Sequence, residues 1–171
     1  ATYKIVGAYA PGSMGGYVDA ELTNVGNGYD FANGTFASWC ADEQTSINVG
    51  VAYNMDVYSS LYPDALPAFT AYADKWARVN WIFNHLDYYP GYTWGEVQGA
   101  LWKIMNNWNG QAAGGVPAAD ATVDQMVNDS QSHTDFTPLP GGWAAVVFVP
   151  EGTDPNATNP NLQTMFVQVD P

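Results

Sequence analysis

Positively charged side chains are scarce in this sequence. Four Lys and Arg residues stand against 17 Asp and Glu residues, which gives a formal net charge of −13. Because no cluster of basic residues is present to neutralise phosphates, a nucleic-acid partner is excluded, and attraction to an anionic membrane surface is disfavoured. No apolar run approaches the length that spans a bilayer, so membrane insertion is not expected.

Cysteine and histidine are almost as rare. The single cysteine, Cys40, excludes an internal disulfide. One cysteine and two isolated histidines form no cluster with metal-ligand spacing, so neither a metal nor another cofactor is predicted. Calcium binding to acidic loops such as "EGTDPN" stays open, although no EF-hand pattern is present.

The residues that are abundant indicate an extracellular or cell-surface protein. Apolar residues make up 47% of the chain but charged residues only 12%, so the surface is built largely from uncharged polar side chains. The start at Ala1 is typical of a mature end after removal of a signal peptide. Three sequons predict N-glycosylation at Asn33, Asn128 and Asn156.

The order of the predicted elements is strands, then helices, then strands. We predict one α+β domain over residues 1–171, with strands in 1–42 and 142–170 and a helical lobe of about three helices at about 71–133. The strands are expected to form an antiparallel β-sandwich or barrel into which the lobe is inserted. Residues 44–70 are mixed in character, and the third helix is expected to have Pro117 near its first turn.

The second predicted helix carries an unexpected glutamine. Thr93 and Glu96 form a capping box that starts it, and the helix is expected to run to about Trp108. Its apolar stripe has Gln98 at the centre and consists of Trp94, Gln98, Leu101, Trp102 and Met105. A buried amide is costly unless it is paired, so one interpretation is that Gln98 hydrogen-bonds to backbone in the core.

A second feature is Cys40, in "SWCADEQTS", at the end of an apolar predicted strand. One interpretation is a small buried hydrophobe. Another is chemical, because a cysteine thiolate can attack the side-chain amide of glutamine, expel ammonia and form an internal thioester. Such a bond survives only where water is kept out. Trp94 and Trp102, one turn on either side of Gln98, are bulky enough to shield it.

Together the two segments resemble a known family. "WCAD" followed by "VQGALW" is similar to the paired motifs of thioester domains in surface adhesins, where an aromatic residue or Leu precedes the Cys and the Gln lies in a Φ-Gln-x-x-Φ-Trp motif. The resemblance covers roughly residues 36–108, and Trp39 stands where Tyr, Phe or Leu is expected. It implies a Cys40–Gln98 bond, a β-rich fold with a helical lobe, and non-enzymatic covalent capture of an amine, typically a lysine.

Two neighbouring groups are candidates to assist this chemistry. Asp42 lies two residues past Cys40, on the same predicted strand face, and is placed to accept a proton from the thiol or the amine. His85 precedes the glutamine helix and is a candidate to approach in three dimensions. A solvated or hydrogen-bonded structural role is the alternative for both residues.

The amine partner is predicted to be either a protein on a foreign surface or another copy of this chain. Lys4 is the candidate crosslinking amine for the second case, since it lies in the first strand on the face opposite Tyr3 and Ile5. An N-terminal strand can pair with the sheet edge of a neighbour, which would deliver Lys4 to the neighbour's thioester and build a covalent, pilus-like filament. The absence of a visible anchor favours this filament role slightly over an adhesin.

Three other functions remain open. Seven Trp and 11 Tyr residues would suit a carbohydrate-binding module with stacking platforms. A non-covalent structural subunit that has lost the thioester is a further alternative. Cys40 with His85 or His133 would supply the residue types that a cysteine hydrolase needs, but no local sequence signature supports this function.

Overall fold

The structure is a computed structural model that describes residues 1–8, 16–29, 31–106, 113, 116–117, 119–154 and 162–170. The predicted end of the glutamine helix at Trp108 and the sequon at Asn156 lie outside these ranges.

Six strands and three α-helices make up the described chain. The elements are β1 (Thr2–Ala8), β2 (Val18–Thr23), β3 (Gly34–Cys40), β4 (Ala52–Ser59), α1 (Ala73–Phe83), α2 (Trp94–Asn106), α3 (Ala121–Ser130), β5 (Ala144–Pro150) and β6 (Met165–Val169). Short 3₁₀ turns at Pro63–Ala65 and Leu86–Tyr88 flank α1. Among the described helices, none is both long enough and apolar enough to cross a membrane.

The strands close into an antiparallel barrel in the order β1-β2-β3-β6-β5-β4. The helices are inserted between β4 and β5, so the predicted α+β fold, with a barrel-like sheet and a helical lobe, is confirmed. Closure pairs β1 with β2 on one side and with β4 on the other. Over Thr2–Lys4 the first strand therefore has no free edge, and addition of this part to another copy would require β1 to leave the barrel.

Two elements differ from the sequence prediction. Strand β4 falls in the segment 44–70, which had no assigned element; on it the exposed Asn54 and Asp56 alternate with Tyr53, Met55 and Val57, which are buried or half-buried. Helix α3 begins later than expected, because the Asp120 carboxylate accepts hydrogen bonds from the N–H groups of Thr122 and Val123 and so caps the helix there. Pro117 lies before this cap rather than in the first turn.

Side-chain amides fasten α1 to the barrel. Asn80 Oδ1 accepts from the N–H of Ala145 at 2.9 Å. Asn84 binds both backbone groups of Trp143: its Oδ1 accepts from the N–H at 2.8 Å and its Nδ2 donates to the C=O at 2.8 Å. We call such a two-point contact between one side-chain amide and one residue's backbone an amide clamp. A second amide clamp forms the candidate site.

Candidate functional site

Cys40 is the last residue of β3, a strand that passes from the surface into the core. Gly34 and Thr35 are exposed, Phe36 and Ala37 are half-buried, and the strand from Ser38 onward is buried. Cys40 itself is 5% exposed. The Cys40 side chain is therefore held on a β-strand inside the protein, away from bulk water.

Gln98 lies in the first half of α2 and is fully buried. The predicted capping box starts the helix: the Thr93 hydroxyl accepts from the Glu96 N–H at 3.2 Å, and the Glu96 carboxylate accepts from the Thr93 N–H. The predicted stripe faces the core, since Leu101, Trp102 and Met105 are also buried. The cap and the stripe together fix both the start of α2 and the direction in which Gln98 points.

The amide of Gln98 clamps the backbone of Cys40. Gln98 Oε1 accepts from the Cys40 N–H at 2.9 Å, and Gln98 Nε2 donates to the Cys40 C=O at 2.9 Å. The ladder between β2 and β3 ends at the pair Val18–Ser38, so Cys40 extends beyond β2. A side-chain amide offers the same donor and acceptor as a peptide group, and Gln98 thus takes the place of a strand neighbour.

This geometry joins the two interpretations of Gln98. The amide is satisfied by core backbone, and that backbone belongs to the residue that carries the thiol. Because both hydrogen bonds end on Cys40, the amide carbon of Gln98 lies beside it, although the two residues are 58 positions apart. The N–H that binds Oε1 also polarises the Gln98 carbonyl and is placed to stabilise negative charge on its oxygen during nucleophilic attack.

The surroundings keep the Cys40 thiol neutral. Burial raises the pKa of Cys40 far above its ordinary value, and the nearby Asp42 carboxylate raises it further. A free thiolate is therefore disfavoured in the folded state, and the thiol is protected from general alkylation and oxidation. Its chemistry is restricted to a group already held against it, and Gln98 is that group.

Three aromatic rings lie along the face of α2 that carries Gln98. Trp94 is half-buried and Trp102 is 7% exposed, and each is four residues from Gln98. The ring of Tyr17 lies between them, with its centroid 5.2 Å from Trp94 and 5.7 Å from Trp102. Tyr17 therefore spans the turn of helix that holds Gln98.

Tyr17 is a residue that sequence reasoning missed, and Gly16 explains its position. A Cβ on Gly16 would lie 2.6 Å from the Ser38 backbone nitrogen and 2.9 Å from the Ala37 Cα, so only glycine permits this approach to β3. The available signal was an aromatic residue after a Gly pair and directly before a strand. That signal does not identify which helix the ring contacts.

The structure gives Asp42 a structural role in the loop after β3. The strand ends at Cys40, so Asp42 does not share a strand face with it, contrary to the expectation. The Asp42 carboxylate accepts from the N–H groups of Gln44 and Thr45 and from the Thr45 hydroxyl. Its negative charge adds to the larger effect of burial in raising the pKa of the Cys40 thiol.

Both histidines stack on one tryptophan. The His85 and His133 rings lie against Trp81 at centroid distances of 4.4 Å and 4.5 Å, and His85 Nδ1 lies 2.7 Å from the Trp81 carbonyl oxygen. The two imidazoles are thus engaged in the helical lobe. Nothing in the described contacts pairs either one with Cys40 as a hydrolase dyad would require.

The lysines differ in how their amines are held. Lys75 Nζ donates to the Met105 C=O, and Lys103 Nζ forms an ion pair with Asp124 at 2.6 Å. Lys4 is half-buried in β1 between the buried Tyr3 and Ile5, as predicted, and within the described ranges its amine makes no hydrogen bond or ion pair.

The two described sequons differ in setting. Asn33 is exposed in the loop before β3, where its Oδ1 accepts from the Val25 N–H. Asn128 is exposed on α3. Over the described ranges, no group of three or more His, Cys, Asp or Glu side chains is arranged to hold a metal ion. The loop "EGTDPN", considered for calcium, lies partly outside those ranges.

The barrel, the inserted lobe and the clamp between β3 and α2 define an α+β domain whose most unusual feature is an internal Cys–Gln contact. Its fold is that of a thioester domain, so the resemblance noted in the sequence is confirmed for the fold. The N-terminal thioester domain of a surface protein from Clostridium perfringens superposes with a TM-score of 0.53 at 12% identity, covering 98% of both chains. A cysteine-to-alanine mutant of a domain with the same description has a TM-score of 0.50 at 8% identity, covering 90% of this chain and 88% of that one. No protein-family model matches the sequence, and no curated protein sequence matches it.

Proposed function

We propose that Cys40 and Gln98 form an internal thioester, and that this extracellular surface domain uses the bond to attach itself covalently to an amine. The observation that carries the proposal is the amide clamp, in which both backbone groups of Cys40 bind the Gln98 amide at 2.9 Å. A glutamine with a purely structural role could bind the backbone of any residue. Gln98 binds the backbone of the one cysteine in the chain. The thioester-domain fold supports the same function.

Bond formation balances without a cofactor. Cys40 Sγ attacks Gln98 Cδ, the C–N bond breaks, and the thiol proton leaves with the amide nitrogen as ammonia. The Cys40 N–H stabilises the developing charge on Oε1, and the clamp removes the entropy cost of bringing the groups together. The buried position then limits hydrolysis, with Trp94, Trp102 and Tyr17 as the proposed shield.

Capture of an amine consumes the thioester. When ammonia leaves during thioester formation, the Cys40 C=O loses the donor that Gln98 Nε2 supplied. An incoming primary amine then attacks Cδ, the C–S bond breaks, and one amine proton returns to the Cys40 sulfur. The products are a secondary amide on Gln98 and a free Cys40 thiol.

The reaction is a single event rather than a catalytic cycle, because the thioester is consumed. We therefore propose a non-enzymatic surface protein, acting as an adhesin or as a filament subunit. Lys4 supports the filament role, since Lys75 and Lys103 are engaged by Met105 and Asp124. The pairing of β1 on both sides opposes it, because delivery of Lys4 to another copy would require this strand to leave the barrel.

Intact mass spectrometry with and without methylamine tests the proposal. We expect the native chain to be lighter than its sequence mass by one ammonia, and to gain one methylamine at Gln98 on treatment. Cys40→Ala should show the full sequence mass and take up no methylamine. A native chain of full mass that does not react would refute the thioester. Chain multiples that resist boiling and reductant, and disappear in Lys4→Arg, would establish the filament role.

A further inference from the structure

Two adjoining clefts lie between the start of β3 and the end of β6. The two strands pair with each other only over residues 38–40 and 165–167, and beyond this stretch β3 stays with β2 while β6 stays with β5. The gap that results holds a cleft of about 600 Å³. A second cleft, of about 320 Å³, adjoins it, because Phe31 and Val169 line both. Each volume is within the range of sites that bind small molecules.

Exposed aromatic side chains gather around these clefts. Six aromatic residues of the described chain are at least 40% exposed, and four of them are cleft walls. Tyr92 and Trp143 line the larger cleft, and Tyr29 and Tyr62 line the smaller one. Scattered exposed apolar residues are normal on a protein surface, whereas a group of them around a concave site indicates ligand binding.

The backbone of Trp143 is fixed before any ligand arrives. Both of its backbone groups are held by the Asn84 amide clamp, at 2.8 Å. The preceding residue, Gly142, is packed so closely that an added Cβ would lie 2.7 Å from Asn84 Oδ1 and 2.9 Å from the Leu139 carbonyl oxygen. The fold thus fixes the backbone that carries this exposed indole. A preorganised platform loses little conformational entropy on binding.

The polar groups of the larger cleft are nearly all uncharged. Thr35 and Gln168 lie in its walls, and Asp170 is the one charged side chain among the described wall residues of either cleft. A phosphate, a sulfate or an acidic sugar would meet no cation there, and the net charge of −13 opposes such ligands further. A neutral ligand rich in hydroxyl groups matches these walls, since hydroxyls both donate to and accept from side chains of this kind.

The free edge of β3 in this gap is too short for strand addition by a peptide. Ala41 directs its N–H toward Thr164, beside β6, and successive residues of a strand direct their backbone groups to opposite sides. The backbone groups of Thr35 therefore face the gap, whereas those of Gly34 face β2. Thr35 is thus the one exposed residue of β3 with backbone groups on this side, and an added strand gains its affinity from several such residues.

We propose that the two clefts bind a neutral, β-1,4-linked oligosaccharide, with Tyr92 and Trp143 as stacking platforms. The C–H face of a pyranose ring carries partial positive charge, which is attracted to the negative face of an aromatic ring. Thr35, Gln168 and Asp170 are placed to bind the ring hydroxyls. An extended β-1,4-linked chain suits two clefts that adjoin each other.

This site is separate from the proposed thioester. Gln98 holds Cys40 from the β2 edge of β3, whereas the clefts lie at its β6 edge. Reversible sugar binding therefore does not depend on whether the thioester forms. The binding measurements use Cys40→Ala protein, so that covalent attachment contributes nothing to them.

Isothermal titration calorimetry with defined probes tests for binding. The probes are the β-1,4-linked tetramers of glucose, mannose and N-acetylglucosamine, and a capped octapeptide of alternating Thr and Val. We expect at least one tetrasaccharide to bind with a Kd below about 1 mM, and the octapeptide not to bind. Failure of all three tetrasaccharides would overturn the proposal, and so would an octapeptide that binds as tightly as the best of them.

A matched pair of tyrosine variants locates the site. Tyr92→Ala removes a cleft wall, whereas Tyr72→Ala removes a tyrosine of the same 40% exposure that lines neither cleft. With the best-bound tetrasaccharide, Tyr92→Ala should weaken the affinity about fivefold or more, and Tyr72→Ala should leave it unchanged. Trp143→Ala should weaken it at least as much, and Trp143→Phe, which keeps an aromatic face, should retain part of it. An equal loss in the two tyrosine variants would overturn the assignment of the cleft.

Chemical shifts of labelled protein give a second location that needs no substitution in the cleft. On titration with the same tetrasaccharide, saturable shifts are expected at the Trp143 indole N–H, the Gln168 side-chain amide and the Thr35 backbone amide. Shifts confined to residues outside both clefts would place the sugar elsewhere and overturn the proposal.

Discussion

The molecule uses the amide clamp twice, once in a buried setting and once at the surface. Gln98 clamps Cys40 in the core, and Asn84 clamps Trp143 where β5 begins; the four donor–acceptor distances are 2.8–2.9 Å. In both, an amide from a helix takes the place of a strand neighbour. Only the buried clamp has a cysteine and a shield from water. The comparison indicates that the clamp itself is a structural contact, and that burial and a clamped cysteine are what distinguish the candidate site.

The largest contrast is expected between removal of the two amides. Gln98→Ala should abolish methylamine uptake, whereas Asn84→Ala should leave it intact. For stability, both changes are best made in a Cys40→Ala background, so that no covalent bond contributes. There Gln98→Ala leaves two buried backbone groups unpaired and should lower the unfolding free energy by about 3 kcal/mol. Asn84→Ala should cost about 1 kcal/mol, since water can replace it.

Urea denaturation measures both differences. Equal losses for the two variants would mean that the buried clamp is as accessible to water as the surface clamp, and would contradict the dry site that a thioester requires.

A smaller effect is expected from Gly16→Ala, which should let water reach the buried clamp as it reaches the exposed one. Gly16→Ala places a methyl group 2.6 Å from the Ser38 nitrogen, so the segment that carries Tyr17 must move away from β3. We expect a loss of about 1–3 kcal/mol in unfolding free energy and faster hydrolysis of the thioester, seen as a gain of one water in intact mass.

Gly26→Ala is the matched control for Gly16→Ala. Its Cβ would meet only the Tyr29 ring, at 3.6 Å, which is an ordinary van der Waals contact. Equally fast hydrolysis in both glycine variants would argue against the shield.

The loss of stability at alkaline pH tests whether Tyr3, in the core near the buried clamp, is shielded from water. Burial raises the pKa of Tyr3 far above its ordinary value of 10.0, against the smaller lowering effect of its hydrogen bond to Ser38, and the nearby Cys40 adds to the increase. The folded protein therefore keeps a proton that the unfolded chain releases above pH 10.0. Stability is complete below that pH and falls as pH rises, by up to about 1.4 kcal/mol per pH unit for one such group.

Tyr3→Phe in the Cys40→Ala background should make this alkaline loss shallower. It should not abolish it, because the pKa values of Tyr58 and Tyr89 are raised in the same direction, chiefly by burial. Thermal unfolding at a series of pH values measures the slope. An unchanged slope would mean that Tyr3 is not buried as described.

The smallest effect is expected at Asp42. Asp42→Asn keeps an oxygen that can accept from Gln44 and Thr45 but removes the negative charge. A group that assists by proton transfer typically contributes about a hundredfold or more, whereas a loop cap contributes almost nothing to the rate. We expect the methylamine rate to change by less than about threefold. A fall by two orders of magnitude would restore the assisting role that the sequence suggested.

Local signals in the sequence predicted the parts of the site that depend on neighbours in the chain. The capping box and the three-four spacing placed Gln98 on a buried helix face, as observed. The partner of Gln98 could not be predicted from spacing, because it lies 58 residues away; the pairing with Cys40 came from family resemblance. Tyr17 was missed for the same reason, since its contacts with α2 depend on how β2 packs against the lobe.

The elements that were predicted least well are those whose pattern is ambiguous. Strand β4 carries Asn54 and Asp56 on its exposed side. It is held in an extended conformation by pairing with β1 and β5. Propensity is a weak guide for such a strand, because its neighbours decide its conformation. The start of α3 is set by Asp120, whose carboxylate accepts two backbone hydrogen bonds.

Because Gln98 holds the backbone of residue 40 and not its side chain, the amide clamp does not depend on the sulfur. A small residue at position 40 therefore leaves both hydrogen bonds of the clamp in place, and under the proposed function a single codon change there removes the reactive group. The contact that helps to build the fold and the reactivity proposed for it are separate properties, and reactivity must be measured one sequence at a time.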